Sequence, residues 1–170
     1  MERREFLRRL SGQKQAMRPP GALLEEIFFS RCDGCNACVK ACPQNVIQLA
    51  AGFPIINFNQ SGCTFCGQCV AACDRGALDT VAALEKPWKW RAQIGSTCLD
   101  KRGIVCRACE ASCEEDAIKF RPALNGKTDV SVLLKACTGC GACVSSCPNS
   151  AISMKIPDGE PTTLLKEAMA

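Results

Sequence analysis

The sequence predicts an α+β fold in which two small tandem modules of short strands and short helices wrap around cysteine sites. Three observations predict it. The 170 residues include 16 cysteines, which fall into four sets of four with none left over. Four residues beyond the last cysteine of every set comes an apolar pair ending in an aliphatic residue: Val46-Ile47, Ala77-Leu78, Ala117-Ile118 and Ala151-Ile152. Repetition at a fixed offset marks one structural unit used several times. Seven phenylalanines and two tryptophans, with no tyrosine, are too few large rings to build two ordinary cores. Domains this small usually need staples, and the pair after each set is placed to pack beside its cysteines and begin a strand.

The first set is Cys32, Cys35, Cys38 and Cys42, followed by Pro43. The second is Cys63, Cys66, Cys69 and Cys73; the last is Cys137, Cys140, Cys143 and Cys147, followed by Pro148. All three have the spacing of bacterial ferredoxins, whose thiolates hold 4Fe–4S clusters. The remaining set, Cys98, Cys106, Cys109 and Cys113, has Leu99 to Val105 looped out between its first two cysteines. A cubane cluster needs four thiolates at the corners of a tetrahedron. A tight cysteine loop wraps three corners while its backbone N–H groups offset their charge. Gly34, Gly67, Gly139 and Gly141 are placed to supply the positive φ that such loops require.

Likeness to two-cluster ferredoxins implies tandem 2×4Fe–4S ferredoxin-like modules in which each fourth cysteine serves the neighbouring cluster. Cys32, Cys35 and Cys38 then join Cys73, and Cys63, Cys66 and Cys69 join Cys42. Cys98, Cys106 and Cys109 join Cys147, and Cys137, Cys140 and Cys143 join Cys113. The regular sets predict three clusters and the stretched set a fourth. Asp74 and Glu114 stand where the other sets have proline, and a carboxylate there is expected to lower a reduction potential.

Two other chemistries use many cysteines. Zinc ribbons bring them as separated pairs, and a three-in-a-row loop would leave ligands idle. Disulfides need an oxidising compartment and a signal peptide. The string Arg3-Arg4-Glu5-Phe6-Leu7 is twin-arginine-like, but neither an apolar stretch nor a small-residue cleavage site follows it. No run is long enough to span a membrane, so a cytoplasmic location is expected. The chain has no histidine, and neither a phosphate-binding glycine loop nor a nucleophile–base pair can be picked out. These features point away from an enzyme. The formal charge of +4 comes from the first 18 residues, which hold six basic and two acidic groups. Four clusters with their thiolates would take the total to about −4, which argues against nucleic acid as a partner.

In order along the chain, residues 1–23 form a basic arm, with Phe6, Leu7 and Leu10 at helical spacing and Pro19-Pro20 near its end. It is either a solvated arm or a recognition segment for a partner or membrane surface. Module 1 occupies 24–83. It is expected to begin with a strand over Leu24–Arg31 and to place a strand on each side of a turn at Gly52. A linker, 84–93, carries Trp88 and Trp90 among basic residues and either packs the modules together or docks a partner. Module 2 occupies 94–157, with a hairpin signal at Asn125-Gly126. The tail, 158–170, has only a weak helical pattern at Leu164, Leu165 and Ala168.

A wider pattern is specific to one family. Arg3-Arg4, Arg18-Pro19-Pro20, the three regular sets, and the stretched set from Ile94-Gly95 through Cys113-Glu114 to Phe120-Arg121-Pro122 resemble the NapF family. The resemblance implies a cytoplasmic ferredoxin-type protein that acts on the catalytic subunit of the periplasmic nitrate reductase before its export, inserting or reducing its iron–sulfur centre. The implied partners are that precursor and a redox partner protein. The cysteines alone also allow a general electron-relay subunit of a respiratory complex, or a sensor of redox state or oxygen.

Overall fold

Six short strands pair into three antiparallel ribbons within the residues that the computed structural model describes, 16–80, 88–123 and 128–157. The arm through residue 15, the Asn125-Gly126 turn, the end of module 1 and first part of the linker at residues 81–87, and the tail lie outside the described residues. In the first module, α1 (Glu25–Arg31) and α2 (Ala37–Lys40) precede β1 (Ile47–Ala50) and β2 (Phe53–Ile56), and α3 (Gln68–Ala71) follows. Strands β1 and β2 form a hairpin in the register Ile47↔Ile56 to Ala50↔Phe53. Ala51 and Gly52 turn it with φ of 50° and 82°, the left-handed pair that a two-residue hairpin loop favours. The start and end of the module meet at the Ala22↔Leu78 bridge, where Leu23 donates to the Ala77 carbonyl and Asp79 to that of Gly21.

The second module repeats this plan. Its elements are β3 (Arg91–Ile94), a 3₁₀ turn (Asp100–Arg102), α4 (Ala108–Ala111), β4 (Ile118–Pro122), β5 (Thr128–Val132), α5 (Ala142–Ser145) and β6 (Ile152–Lys155). Strands β4 and β5 pair from Ile118↔Val132 to Pro122↔Thr128, flanking the Asn-Gly site as hairpin strands would. Here β3 and β6 join the start and end, from Arg91↔Lys155 to Ile94↔Ile152.

The expected strand over Leu24–Arg31 is a helix. The apolar run alone suits either state, but Glu25 and Glu26 occupy the first turn and Arg31 the last, each charge opposite to the nearby helix-dipole end. Only one face is buried, at Phe28, while Leu24 and Ile27 stay exposed, which is helical rather than alternating burial. The bridge to Leu78 is made instead by Ala22, two residues before Leu24. Phe28 is fully enclosed. Phe29 meets Phe53 edge-on at 4.7 Å, and the Arg18 guanidinium lies 5.2 Å and 5.0 Å from the Phe28 and Phe29 rings.

All eight residues of the four apolar pairs are buried. Ile47, Ile118 and Ile152 each open a strand, and Leu78 sits in the bridge. Trp88 belongs to the first core, edge-on to Phe58 at 5.9 Å and to Phe65 at 5.2 Å. Its indole N–H donates to the Arg18 carbonyl at 2.9 Å. Val144 and Met154 pack against both cores, so the halves share a boundary. No helix of the described residues is long and apolar enough to cross a membrane.

Candidate iron–sulfur centres

The backbone repeats more closely than the sequence. In the three regular sets, a left-handed residue stands on each side of the second cysteine: Gly34 and Asn36, Phe65 and Gly67, Gly139 and Gly141. These paired reversals wrap the loop so that its cysteines face one point. Three residues after every fourth cysteine stands another, Asn45, Gly76, Asp116 or Ser150, with φ between 47° and 61°. It turns the chain into the buried apolar pair. Asparagine, glycine and aspartate tolerate this conformation best. Their recurrence at one offset was the readable signal that composition and spacing leave unused.

The folded loops bring the thiols together across the sets. Cys32, Cys35, Cys38 and Cys73 line one cavity, with empty space of about 380 Å³ that is partly open to solvent. Cys42, Cys63, Cys66 and Cys69 line a second of about 340 Å³. Cys98, Cys106, Cys109 and Cys147 line a third of about 330 Å³. The stretched set thus encloses a hollow like those of two regular ones. Around Cys143, the nearby thiols are Cys140 and Cys137 of its own loop and Cys109 and Cys113 of the neighbouring set. Each cavity takes three cysteines from one loop and the fourth from its neighbour.

Burial, reinforced by neighbouring thiolates, pushes the thiols of Cys38 and Cys109 up to about 11, and those of Cys63 and Cys143 up to about 12. Buried thiols held this close disfavour charge unless a cation shares it, and iron removes the difficulty by binding thiolate. Backbone donors are already aimed at sulfur. Phe65 N–H points to Cys63 Sγ at 3.4 Å, Ala117 N–H to Cys113 Sγ at 3.3 Å and Ala151 N–H to Cys147 Sγ at 3.2 Å. Among the described residues, no three candidate ligands converge tightly enough for a single metal ion. Thiols bound to one zinc stand only about 3.8 Å apart. Four thiols around a hollow, with N–H donors on the sulfurs, fit a 4Fe–4S core.

The stretched set reaches the same end by another route. Arg107, after its second cysteine, has φ of −124°, and the left-handed residue of this loop is Gly103 at 85°. Asp100 makes up the difference. Its buried carboxylate accepts the Cys106 N–H at 3.1 Å, as Asp33 accepts the Cys35 N–H at 3.1 Å in the first set. The Thr128 side chain, followed by the Cys106 N–H and Arg107, holds the Asp100 carboxyl below its usual range. Lys101 Nζ donates to the Ile94 carbonyl at 3.1 Å. The inserted residues are therefore tied to β3 and β5. Neither aspartate was recognisable as a support from spacing alone.

Comparison with known proteins agrees with this geometry. Two segments, residues 31–77 and 104–151, match the 4Fe–4S dicluster domain family. The second match begins beyond Cys98, where the spacing departs from the ordinary pattern. The ferredoxin-type protein NapF of Escherichia coli is 39% identical over 138 residues, covering 81% of this chain and 83% of that one. NapF of Haemophilus influenzae is 37% identical over 166 residues, covering 91% and 93%. The methylamine utilization ferredoxin-type protein MauM of Methylorubrum extorquens is 33% identical over 156 residues, covering 79% and 69%. With paired dicluster domains, thiols gathered in crossed sets and likeness along most of its length, this chain belongs to the NapF family of ferredoxin-type iron–sulfur proteins.

Proposed function

We propose that this chain is a cytoplasmic electron-transfer and accessory protein with four 4Fe–4S clusters. It binds the catalytic subunit of a periplasmic nitrate reductase before export and reduces, or helps to insert, that subunit's iron–sulfur centre. The observation that carries the reading is the NapF likeness along 81% and 91% of the chain in two relatives. The third cavity supports four sites rather than three, since the stretched set lines it as the regular sets line theirs. When bound, the clusters supply one-electron chemistry. The chain's residues hold them by sixteen thiolates, place N–H donors on the sulfurs and bury the apolar pair behind each site. The exposed Cys35 and Cys66 lie nearest to solvent in their sets and suit electron exchange with a docked protein.

The test is anaerobic capture of the nitrate reductase catalytic subunit, with and without its export leader, on the iron-loaded protein. Retention of the leader-bearing form supports the reading. Failure to retain either form would overturn it. The MauM likeness favours a second reading, a relay whose partner differs between systems. On that reading, deletion leaves the reductase correctly assembled but lowers respiratory electron flux.

A further inference from the structure

We propose that the two modules form one continuous electron path, joined by the backbone hydrogen bond from Cys63 to Cys140. The Cys63 N–H donates to the Cys140 carbonyl at 2.7 Å. Cys63 belongs to the inner set of the first module, with Cys42, Cys66 and Cys69. Cys140 belongs to the inner set of the second, with Cys113, Cys137 and Cys143. The route from one thiol to the other therefore crosses one hydrogen bond and no residue except the two cysteines. Within the modules, α2, which carries Cys38, packs against α3, which carries Cys69, and α4, which carries Cys109, packs against α5, which carries Cys143. The thiol groups follow one another as Cys32/Cys35/Cys38/Cys73, Cys42/Cys63/Cys66/Cys69, Cys113/Cys137/Cys140/Cys143 and Cys98/Cys106/Cys109/Cys147, the first, second and last of them around the three cavities. The stretched set forms one end of the path.

Two glycines make this approach possible. A Cβ on Gly62 would lie 2.8 Å from the Ala142 nitrogen and 2.9 Å from its Cα, and a Cβ on Gly141 would enter the Phe58 ring at 2.3 Å. Any side chain at Gly62 must push the two cysteine loops apart. Phe58, 5% exposed, is held in turn by Trp88. That tryptophan lies in the connection between the modules, which gives it a part in fixing their separation. With clusters bound, a low-potential one-electron donor would be oxidised by one electron at one end. As that electron crosses the junction, the first inner site would return to its oxidised state and the second would gain the electron. No proton need move, because the junction carries only a backbone amide and carbonyl.

The inference rests on iron in both inner sets and not on the identity of the partner, so an iron assay separates its failure from that of the nitrate reductase reading. Replacing Cys35 and Cys106 by alanine removes one ligand from each outer set and should leave about eight irons of about sixteen. Reduced anaerobically with dithionite, this double variant should show an EPR signal broadened by spin–spin interaction between the inner sites. Adding Gly62→Val should measurably weaken the broadening with iron unchanged. Independent signals in the double variant, or interaction unaffected by Gly62→Val, would overturn the proposal. Hydrogen exchange on the unaltered iron-loaded chain provides a measurement free of substitutions. The Cys63 amide should be protected, and free exchange there would equally overturn the junction.

Discussion

Asp100 is the residue on which the stretched site should depend most. It is 5% exposed and accepts the Cys106 N–H at 3.1 Å and a hydrogen bond from the Thr128 side chain. Asp100→Ala removes the acceptor and strands both donors. A buried unsatisfied donor costs about 1–3 kcal/mol, and Cys106 is only partly buried. The combined penalty is therefore about 2–4 kcal/mol, or roughly 30- to 1,000-fold in how firmly the loop holds its arrangement. It falls on one site, because the regular sets do not use this carboxylate. Iron and sulfide per chain should drop by about four of about sixteen, with the other sites keeping their EPR signals. Asp100→Asn keeps an oxygen acceptor and should lose less iron. Full iron in Asp100→Ala, with chelator-driven bleaching at the wild-type rate, would refute the assignment. Equal loss from all sites would show a general folding defect instead.

The remaining predictions test the loops and the packing. Gly34 and Gly67 have nearly the same φ, 73° and 74°, but a Cβ on Gly34 would lie 2.4 Å from the Gly52 carbonyl oxygen while one on Gly67 meets open space. Gly67→Ala should therefore cost only the left-handed penalty of about 1–2 kcal/mol. Gly34→Ala should be distinctly worse and empty its site first, as measured by the guanidinium midpoint for cluster bleaching and by residual iron. Trp88→Ala removes a ring packed between Phe58 and Phe65 and should cost about 3–5 kcal/mol. Trp88→Phe gives up mainly the hydrogen bond to Arg18, about 1 kcal/mol. The same bleaching curves order the two variants, and an equal effect would contradict the packing role.

Much of the second half of each repeat was legible because it is local. The three residues after a fourth cysteine and the apolar pair beyond them recur at one offset, and in each case the chain turns left-handed and then buries the pair. The β1–β2 hairpin was legible at Gly52 for the same reason, a short-range turn preference. The segment at Glu25–Arg31 was not, since a run of two glutamates among leucine, isoleucine and phenylalanine has no decisive period. Whether such a run pairs or coils depends on whether a neighbouring edge is free, and Ala22 already occupies that edge.

The sequence by itself determined the chemistry of the sites. Cysteine sets at these spacings point to 4Fe–4S clusters, as the dicluster-domain matches do, and the glycines beside them favour the loops that the structure shows. Tertiary structure decided the rest. It brings Asp100 onto Cys106 across an inserted loop and lays Trp88 on the first core. It also sets Cys63 against Cys140 although the two are far apart in the chain. Spacing records what one turn of backbone can do. Which loops touch is set by where two cores meet, and a glycine with room for no Cβ shows its purpose only when the neighbouring loop is in place.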